Sequence, residues 1–545
     1  MQSLFRVNHR MRHLFRLVVV CFVLALSTGC GNTATNVPDD AAISEAEGTQ
    51  VGNLVTVPEL APLAVEGYGI VAGLGQNGSS ECPIDVLAYL KRFSRVMMPE
   101  SREDPEKMIR SMDTSVVKVT GRIAPGTRKG GRFDVMVKPI QGSQTRSLAG
   151  GQLYTTELAA LGRSLAGGQP VGMAAGPIFT DTLGDSSDER TGWVLGGGSA
   201  STDYALVIKL KKPDYRMASA LRNRVIQRFG PGAAMTENEE VIVLSPPARF
   251  GDRQGDFVNL VKALYVSEND ELNKRRTEIM LNRIVEGRDR ETAEAALIGL
   301  GRTSAIEVAK LLASPEEDVR LRAARIMLSY GEYRALPTLR AIAYDTGSKR
   351  RAEAIQAVAN WAPAEQTCGL LSGLVNDSDM EIRLQAEEEL VRCGSPLVER
   401  ENVGGRLFLD VVQSTGRPTI YVTRAAAPKI VVFGSQLSIP EGIFLTAADG
   451  SITLNGRADS RTITVIRNRR SGTGVVGQPL QAGRLVADII RTLSSTPVVE
   501  GDKVILTGLS VPYSDTIDVL RSLCDKGYVN AQFIAGEMVQ QPKAQ

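Results

Sequence analysis

Few residues in this chain have types and spacings that could do chemistry. Gly73-Leu-Gly75-Gln-Asn-Gly78 spells G-x-G-x-x-G, the turn that brings a dinucleotide's pyrophosphate to a helix N-terminus. An apolar run precedes it and a helix is predicted over residues 83–93. A dinucleotide site also needs a β-α-β setting and an acidic residue about 20 positions on. Alternating strands follow instead, so the glycines read as backbone devices, free to take φ > 0 or to let chains approach closely. Both histidines, His9 and His13, fall within residues 1–29. If that segment is removed, Ser-His-Asp and Cys-His machinery and imidazole metal ligands go with it. No C-x-x-C pair offers a thiolate metal site. Carboxylates remain for acid/base work, but no short motif singles one out. The expectation is a non-enzyme without cofactor or metal. Besides Cys21 and Cys30, the chain has Cys82, Cys368, Cys393 and Cys524. A local Cys368–Cys393 bond, a Cys82–Cys524 bond tying the ends together, and free thiols are all open.

Charge narrows the partners further. Of 63 basic residues, Arg6, Arg10, Arg12 and Arg16 lie in residues 1–29, leaving 59 against 61 acidic ones. A near-neutral body gives no electrostatic basis for binding nucleic acid. The four arginines lead into an apolar run over residues 17–26, too short to span a bilayer and of the length of a signal h-region. Residues 1–29 therefore read as an export signal. The following "STGC" resembles the lipobox of bacterial lipoproteins, with Ser27 where leucine is commoner. The resemblance implies cleavage before Cys30 and a lipid on it; an ordinary signal peptide with Cys30 incidental is the alternative. Residues 30–50 are small, polar and acidic, a composition that cannot bury enough apolar surface to fold alone. They read as a tether.

The elements that must position the rest change texture twice. Over residues 51–268, the segments 114–123, 131–140 and 203–212 alternate apolar and polar residues, as half-buried strands do. A helix over 215–230 and a strand over 239–246 follow, giving an α+β order. Over residues 269–401 the pattern is continuous helix with a period near 30: "TAEAALIGLG", "RAARIMLSYG", "RAEAIQAVAN" and "QAEEELVRCG" recur in register, and "DVR" or "EIR" opens a unit. This resembles a HEAT-repeat array, helix pairs stacked so that neighbours bury each other's apolar faces. Strands return over residues 402–545, with a helix over 514–527 near the end. The expected fold class is an α+β multi-domain body with a β-rich domain, interrupted by an all-α HEAT-like array.

Ordered motifs then point to one family. "GYGIVAGLGQNGSS", "SVVKVTGRIAPGTRKGGRFDVMVKPIQGSQTRSLAGGQLYTTEL" and "LVIKLKKPDYRMASALRNRVIQRFG" resemble, in the same order, segments of flagellar P-ring proteins. "VIVLSPPARFGDRQGDFVNLVKALYV", "IVVFGSQLSI" and "SDTIDVLRSLCDKGYVNAQFI" continue the resemblance. Gly67, Tyr68, Gly69, Gly73 and Gly78 match its early turn. Arg132, Asp134, Gly150 and Gly151 match its most specific stretch; Pro213 and Asp214 match an N-P-D segment, with Lys212 where asparagine is expected. The resemblance implies structural roles for these residues and a P-ring subunit for the chain. Such a subunit forms a periplasmic homo-oligomeric ring around the flagellar rod, a bushing near peptidoglycan and beneath the L-ring. Cys30 would add an outer-membrane anchor, and the helical array, read as an insertion at a surface loop, an accessory arm. The alternative is a membrane-anchored lipoprotein that recruits a protein partner through its repeats.

Overall fold

The computed structural model describes residues 48–538 except 59–60, 98–103, 165–168, 182, 184–187, 252, 268, 449, 472–473, 501–502 and 506. The expected signal, Cys30 and most of the tether lie outside the described residues.

Alternation builds a barrel first. Strands β1 (Leu63–Ala72), β2 (Thr114–Ile123), β3 (Arg132–Pro139), β4 (Gln152–Ala160), β5 (Gly172–Pro177) and β6 (Gly192–Ala200) close in the order β1-β2-β3-β6-β5-β4, with every pairing antiparallel. Val117, Val119 and Ile123 of β2 join Val65, Val71, Val135 and Val137 in the interior. Val116 and Ile70, one residue out of phase, join the outer cluster, as the two-residue side-chain period of a strand requires. There they meet Val86, Leu87 and Leu90 of helix α1 (Ile84–Met97) and Ile109 of the short α2 (Pro105–Ile109).

A second, antiparallel sheet contains residues 55–56, β7 (Leu206–Leu210), β8 (Ala234–Thr236) and β9 (Val241–Leu244). It shares a core with α3 (Tyr215–Phe229) and α4 (Gln254–Ala263). The helical run continues as α5 (Asp270–Glu286), α6 (Arg290–Leu300), α7 (Ala305–Lys310), α8 (Glu317–Ser329), α9 (Leu336–Tyr344), α10 (Arg351–Trp361), α11 (Ala364–Leu371) and α12 (Met380–Arg392).

Each helix end leaves backbone carbonyls without intrahelical partners. Here arginines supply them. Arg290 Nε donates to the carbonyl of Ile284 (2.7 Å), Arg320 Nη1 to Ser314 (2.9 Å), Arg351 Nε to Ala343 (2.9 Å) and Arg383 Nε to Val375 (3.1 Å). All four sit in the first turn of α6, α8, α10 or α12, and they recur about every 30 residues. Two α3 arginines do the same across elements. Arg224 Nη2 donates to Gly299 (3.2 Å), while Arg228 donates to Ile298 (2.7 Å) and Ser329 (3.3 Å), carbonyls at the ends of α6 and α8. One apolar core runs from β7, α3 and α4 through the helical run to Val412 and Phe433 beyond it. The change of texture at residue 269 is therefore not a break in packing.

The C-terminal region has strands β10 (Val398–Val403), β11 (Leu407–Val412), β12 (Thr419–Arg424), β13 (Lys429–Phe433), β14 (Ile443–Ala447), β15 (Ile452–Gly456), β16 (Ile463–Ser471), β17 (Gly474–Ala482), β18 (Val498–Glu500), β19 (Lys503–Ile505) and β20 (Gln532–Met538). One mixed sheet runs β10-β11-β13-β12-β20 and an antiparallel one β14-β15-β16-β17. Helices α13 (Val486–Ser494) and α14 (Tyr513–Asp525) share their core, as do Phe179, Trp193 and Leu195 of the barrel segment.

Cys368 in α11 and Cys393, just past α12, form a disulfide. Cys82 and Cys524 carry free, half-buried thiols, so the bond that would have tied the two ends together is not made.

Truncating Arg228 to alanine leaves buried carbonyls unmet and should lower stability by about 2 kcal/mol in chemical denaturation. The disulfide closes a loop with a sequence separation of 25. Replacing both cysteines by alanine should cost about 3 kcal/mol, read in the same experiment.

Candidate functional site

The barrel meets the C-terminal sheet at a defect in its own ladder. Phe133 of β3 pairs with Gly198 of β6, but Val135 pairs with Val194. Residues 195–197 therefore loop out opposite Asp134. The glycine run makes this feasible. Gly196 has φ 58°, and a Cβ on Gly198 would lie 2.5 Å from the Phe133 ring. Asp134 Oδ1 accepts the Gly196 N–H at 2.6 Å, and Oδ2 accepts the Ala426 N–H at 2.7 Å, 292 residues further on. Ala426 itself has φ 58°, an uncommon conformation for a residue with a Cβ. Burial pushes the Asp134 carboxyl above its usual range, against the pull of the two amide donors. Beside it, Arg424 Nη1 contacts Asp181 Oδ2 at 3.0 Å and its Nε donates to Gly536 at 2.6 Å. Phe179 packs against Tyr513 with ring centroids 5.8 Å apart.

A cleft of about 700 Å³ opens at this junction, with Arg132, Phe133, Asp134, Arg406 and Phe408 among its walls. Among the described residues, Arg132 Nη1 reaches the Gly196 carbonyl, at 3.4 Å, and Arg406 Nη1 the Ser510 carbonyl, at 3.2 Å. Burial lowers the pKa of the Arg406 guanidinium. Neither guanidinium has a carboxylate within ion-pair distance among the described residues. The arrangement suits a carboxylate-bearing segment lying between two cations and two aromatic rings. Both Asp134 oxygens already accept backbone N–H groups, which leaves the carboxylate poorly placed as a general base. Among the described residues no three His, Cys, Asp or Glu side chains converge as metal ligands.

Of the residues singled out in the sequence, the structure brings Arg132 and Asp134 to this junction. The glycines lie elsewhere in the barrel wall. A Cβ on Gly67 would fall 2.1 Å from the Glu157 carbonyl oxygen and one on Gly69 2.2 Å from Thr156 Oγ1, where β1 closes against β4. Gly73 (φ 82°) and Gly75 (φ 62°) turn the chain out of β1. A Cβ on Gly78 would meet the Thr114 carbonyl oxygen at 2.1 Å. The N–H groups of this turn are already engaged: Leu74 donates to the Asp113 carbonyl, Gly75 to Asp113 Oδ1, Gly78 to Met112 and Ser79 to Thr114. It offers those donors to neighbouring chain rather than to a phosphate. Gly150 (φ 71°) and Gly151 turn into β4, where a Cβ on Gly151 would meet Val71 at 2.5 Å. Tyr68 packs on the outer cluster under α1. Asp214, after Pro213, caps α3 by accepting the Arg216 N–H at 2.8 Å. Sequence reasoning did not pick out Gly196, Ala426, Arg406 or the Arg424–Asp181 pair. The run Gly196–Gly198 inside an otherwise apolar strand was the available signal.

Comparison with known proteins follows the same segment. The family profile described as Flagellar P-ring protein matches residues 50–287. Over that span the chain is similar to flagellar P-ring proteins. The matched residues comprise the barrel, the sheet of β7, β8 and β9, helices α3 and α4, and α5. Similar P-ring proteins include that of Anaeromyxobacter sp. (strain K), 33% identical over 231 residues, covering 40% of this chain and 60% of the relative. Those of Geobacter sulfurreducens and Helicobacter pylori (strain P12) are 26% identical over 238 residues and 24% over 227. These alignments cover 39% and 40% of this chain, and 61% and 62% of those proteins. The chain thus spans about 60% of the length of the P-ring proteins it matches. A solved engineered protein aligns with 33% of this chain and 85% of its own, at 14% identity and a TM-score of 0.17.

Asp134→Ala removes both acceptors of this junction. Amide hydrogen exchange at Gly196 and Ala426 should speed up, with β1 and β4 amides unaffected and stability lower by about 2 kcal/mol.

Proposed function

We propose that this chain is a structural subunit of the flagellar basal-body P-ring, assembling with copies of itself in the periplasm around the rod as a bushing. The observation that carries this reading is the match over residues 50–287 to proteins named for the P-ring. The geometry is in keeping with it. The residues that carry the resemblance are occupied in closing a barrel, capping α3 and holding the barrel to the C-terminal sheet. Such a body works by association: heterologous contacts between identical subunits close into a ring when the rotation per subunit allows.

The run α5–α12 is an accessory part in this reading. Its paired helices, and an arginine that caps the preceding carbonyls about every 30 residues, support a HEAT-like description. Cys30 would carry a lipid that places the subunit at the outer membrane, with rod and L-ring proteins as partners and peptidoglycan nearby. A second reading, a lipid-anchored scaffold that recruits a protein through the helical run, is favoured by one observation. A groove of about 530 Å³ crosses α4, α6, α8 and α10, with Arg253, Arg325, Glu353 and Trp361 among its walls.

Electron microscopy of the purified mature chain should show rings, and a strain lacking it should build basal bodies without a P-ring and lose motility. Normal basal bodies and swimming in that strain, with a protein monomeric at every concentration, would overturn the first reading in favour of the second.

A further inference from the structure

Five charged side chains meet where α12 seats on the C-terminal sheet. Glu387 and Glu388 come from α12, Arg400 from β10, Asp410 from β11 and Lys429 from β13. Arg400 Nη2 lies 2.7 Å from Asp410 Oδ2, 3.4 Å from Glu387 Oε1 and 3.2 Å from Glu388 Oε2. Lys429 Nζ lies 3.1 Å from Glu387 Oε2, 2.9 Å from Glu388 Oε2 and 3.9 Å from Asp410 Oδ2. Glu387 and Asp410 thus crowd onto the same two nitrogens, and both side chains have 0% exposure, against 44% for Glu388. Tyr421 of β12 also faces the cluster. Phe408 lies under the Arg400 guanidinium at 5.7 Å.

The charges do not balance. Three ionised carboxylates against two cations would leave one excess negative charge in a pocket where two of the carboxylates have no contact with water. Burying an uncompensated charge is costly, and two carboxyls sharing a site relieve that cost by keeping one proton.

We propose that Glu387 and Asp410 hold one proton between them at neutral pH, and that this proton is a pH-sensitive clasp fastening α12 to the C-terminal sheet. The protonated carboxyl donates its O–H to the other carboxylate, which turns a repulsion into a hydrogen bond and leaves Arg400 and Lys429 matched by two negative charges. Burial pushes the Glu387 carboxyl up to about 8; Lys429 pulls against that shift, and the hydrogen bond and charge of Asp410 add to it. A glutamate whose folded pKa lies above its unfolded value favours the folded state most at low pH. The contribution is fully present below about pH 4.5, falls through the window up to about 8, and is gone above it. Alkaline solution would therefore weaken the seat of α12 on the sheet.

The test is the thermal midpoint of the full mature chain from pH 5 to 9, for wild type, Glu387→Gln and Asp410→Asn. The glutamine amide can donate as the protonated acid does and cannot ionise. Between pH 5.5 and 8.5 the wild-type midpoint should fall at least about 3 °C further than that of Glu387→Gln. Infrared spectra of the wild type should show a protonated-carboxyl stretch at pH 7 that fades by pH 9 and is missing in Glu387→Gln. Parallel midpoint profiles, or no such stretch in the wild type at pH 7, overturn the proposal. Should both variants fail to fold, the wild-type infrared titration and the exchange rates of α12 amides across the same pH range decide it.

Discussion

A guanidinium donating to a buried backbone carbonyl is the interaction on which this fold depends. Stacked helices cover each other's ends, and a covered end cannot give its last carbonyls to water. Arg290, Arg320, Arg351 and Arg383 meet that demand within the helical run, and Arg224 and Arg228 meet it between α3 and the ends of α6 and α8. The C-terminal region uses guanidinium–carbonyl bonds at less covered places: Arg484 donates to the Ser460, Pro440 and Arg457 carbonyls, and Arg467 to those of Leu509 and Ser510. Lysine could not replace arginine at these places. Its single nitrogen does not span two carbonyls with a fixed planar fork, and it is more strongly hydrated.

This joint explains why helical and strand-rich regions share one core. The sequence changes texture near residues 269 and 401, because stacked helices and strands need different apolar periods. The apolar contacts ignore both points. Phe433 of β13 belongs to the same cluster as Leu297 of α6, and the Arg383 guanidinium that caps Val375 also lies 4.1 Å over the Phe433 ring. The end of the helical run is therefore built into the sheet that follows it.

What the sequence made legible was local. The strand expected at 114–123 has those bounds, and the one expected at 131–140 runs Arg132–Pro139, because alternation is a property of the strand itself. The helices between residues 269 and 401 were legible for the same reason. Barrel closure was not, since it depends on β1 meeting β4 across a shifted register that only Gly67 and Gly69 permit. The glycines announced a special backbone but not which chain they made room for. The junction was least legible. Asp134 stood out by family resemblance, while its partner Ala426 lies 292 residues away in a stretch with no marker of its own.

A closed barrel has no rim along which a stranger's strand could zip, so six of the described strands are withdrawn from the commonest route to tangled aggregates. The outermost strands of the other sheets, β20 and β17 among them, have unmated borders among the described residues. Among the described residues, the borders where one molecule's strand could splice onto the next thus belong to the later part of the polypeptide and to the sheet of β7, β8 and β9 rather than to the barrel.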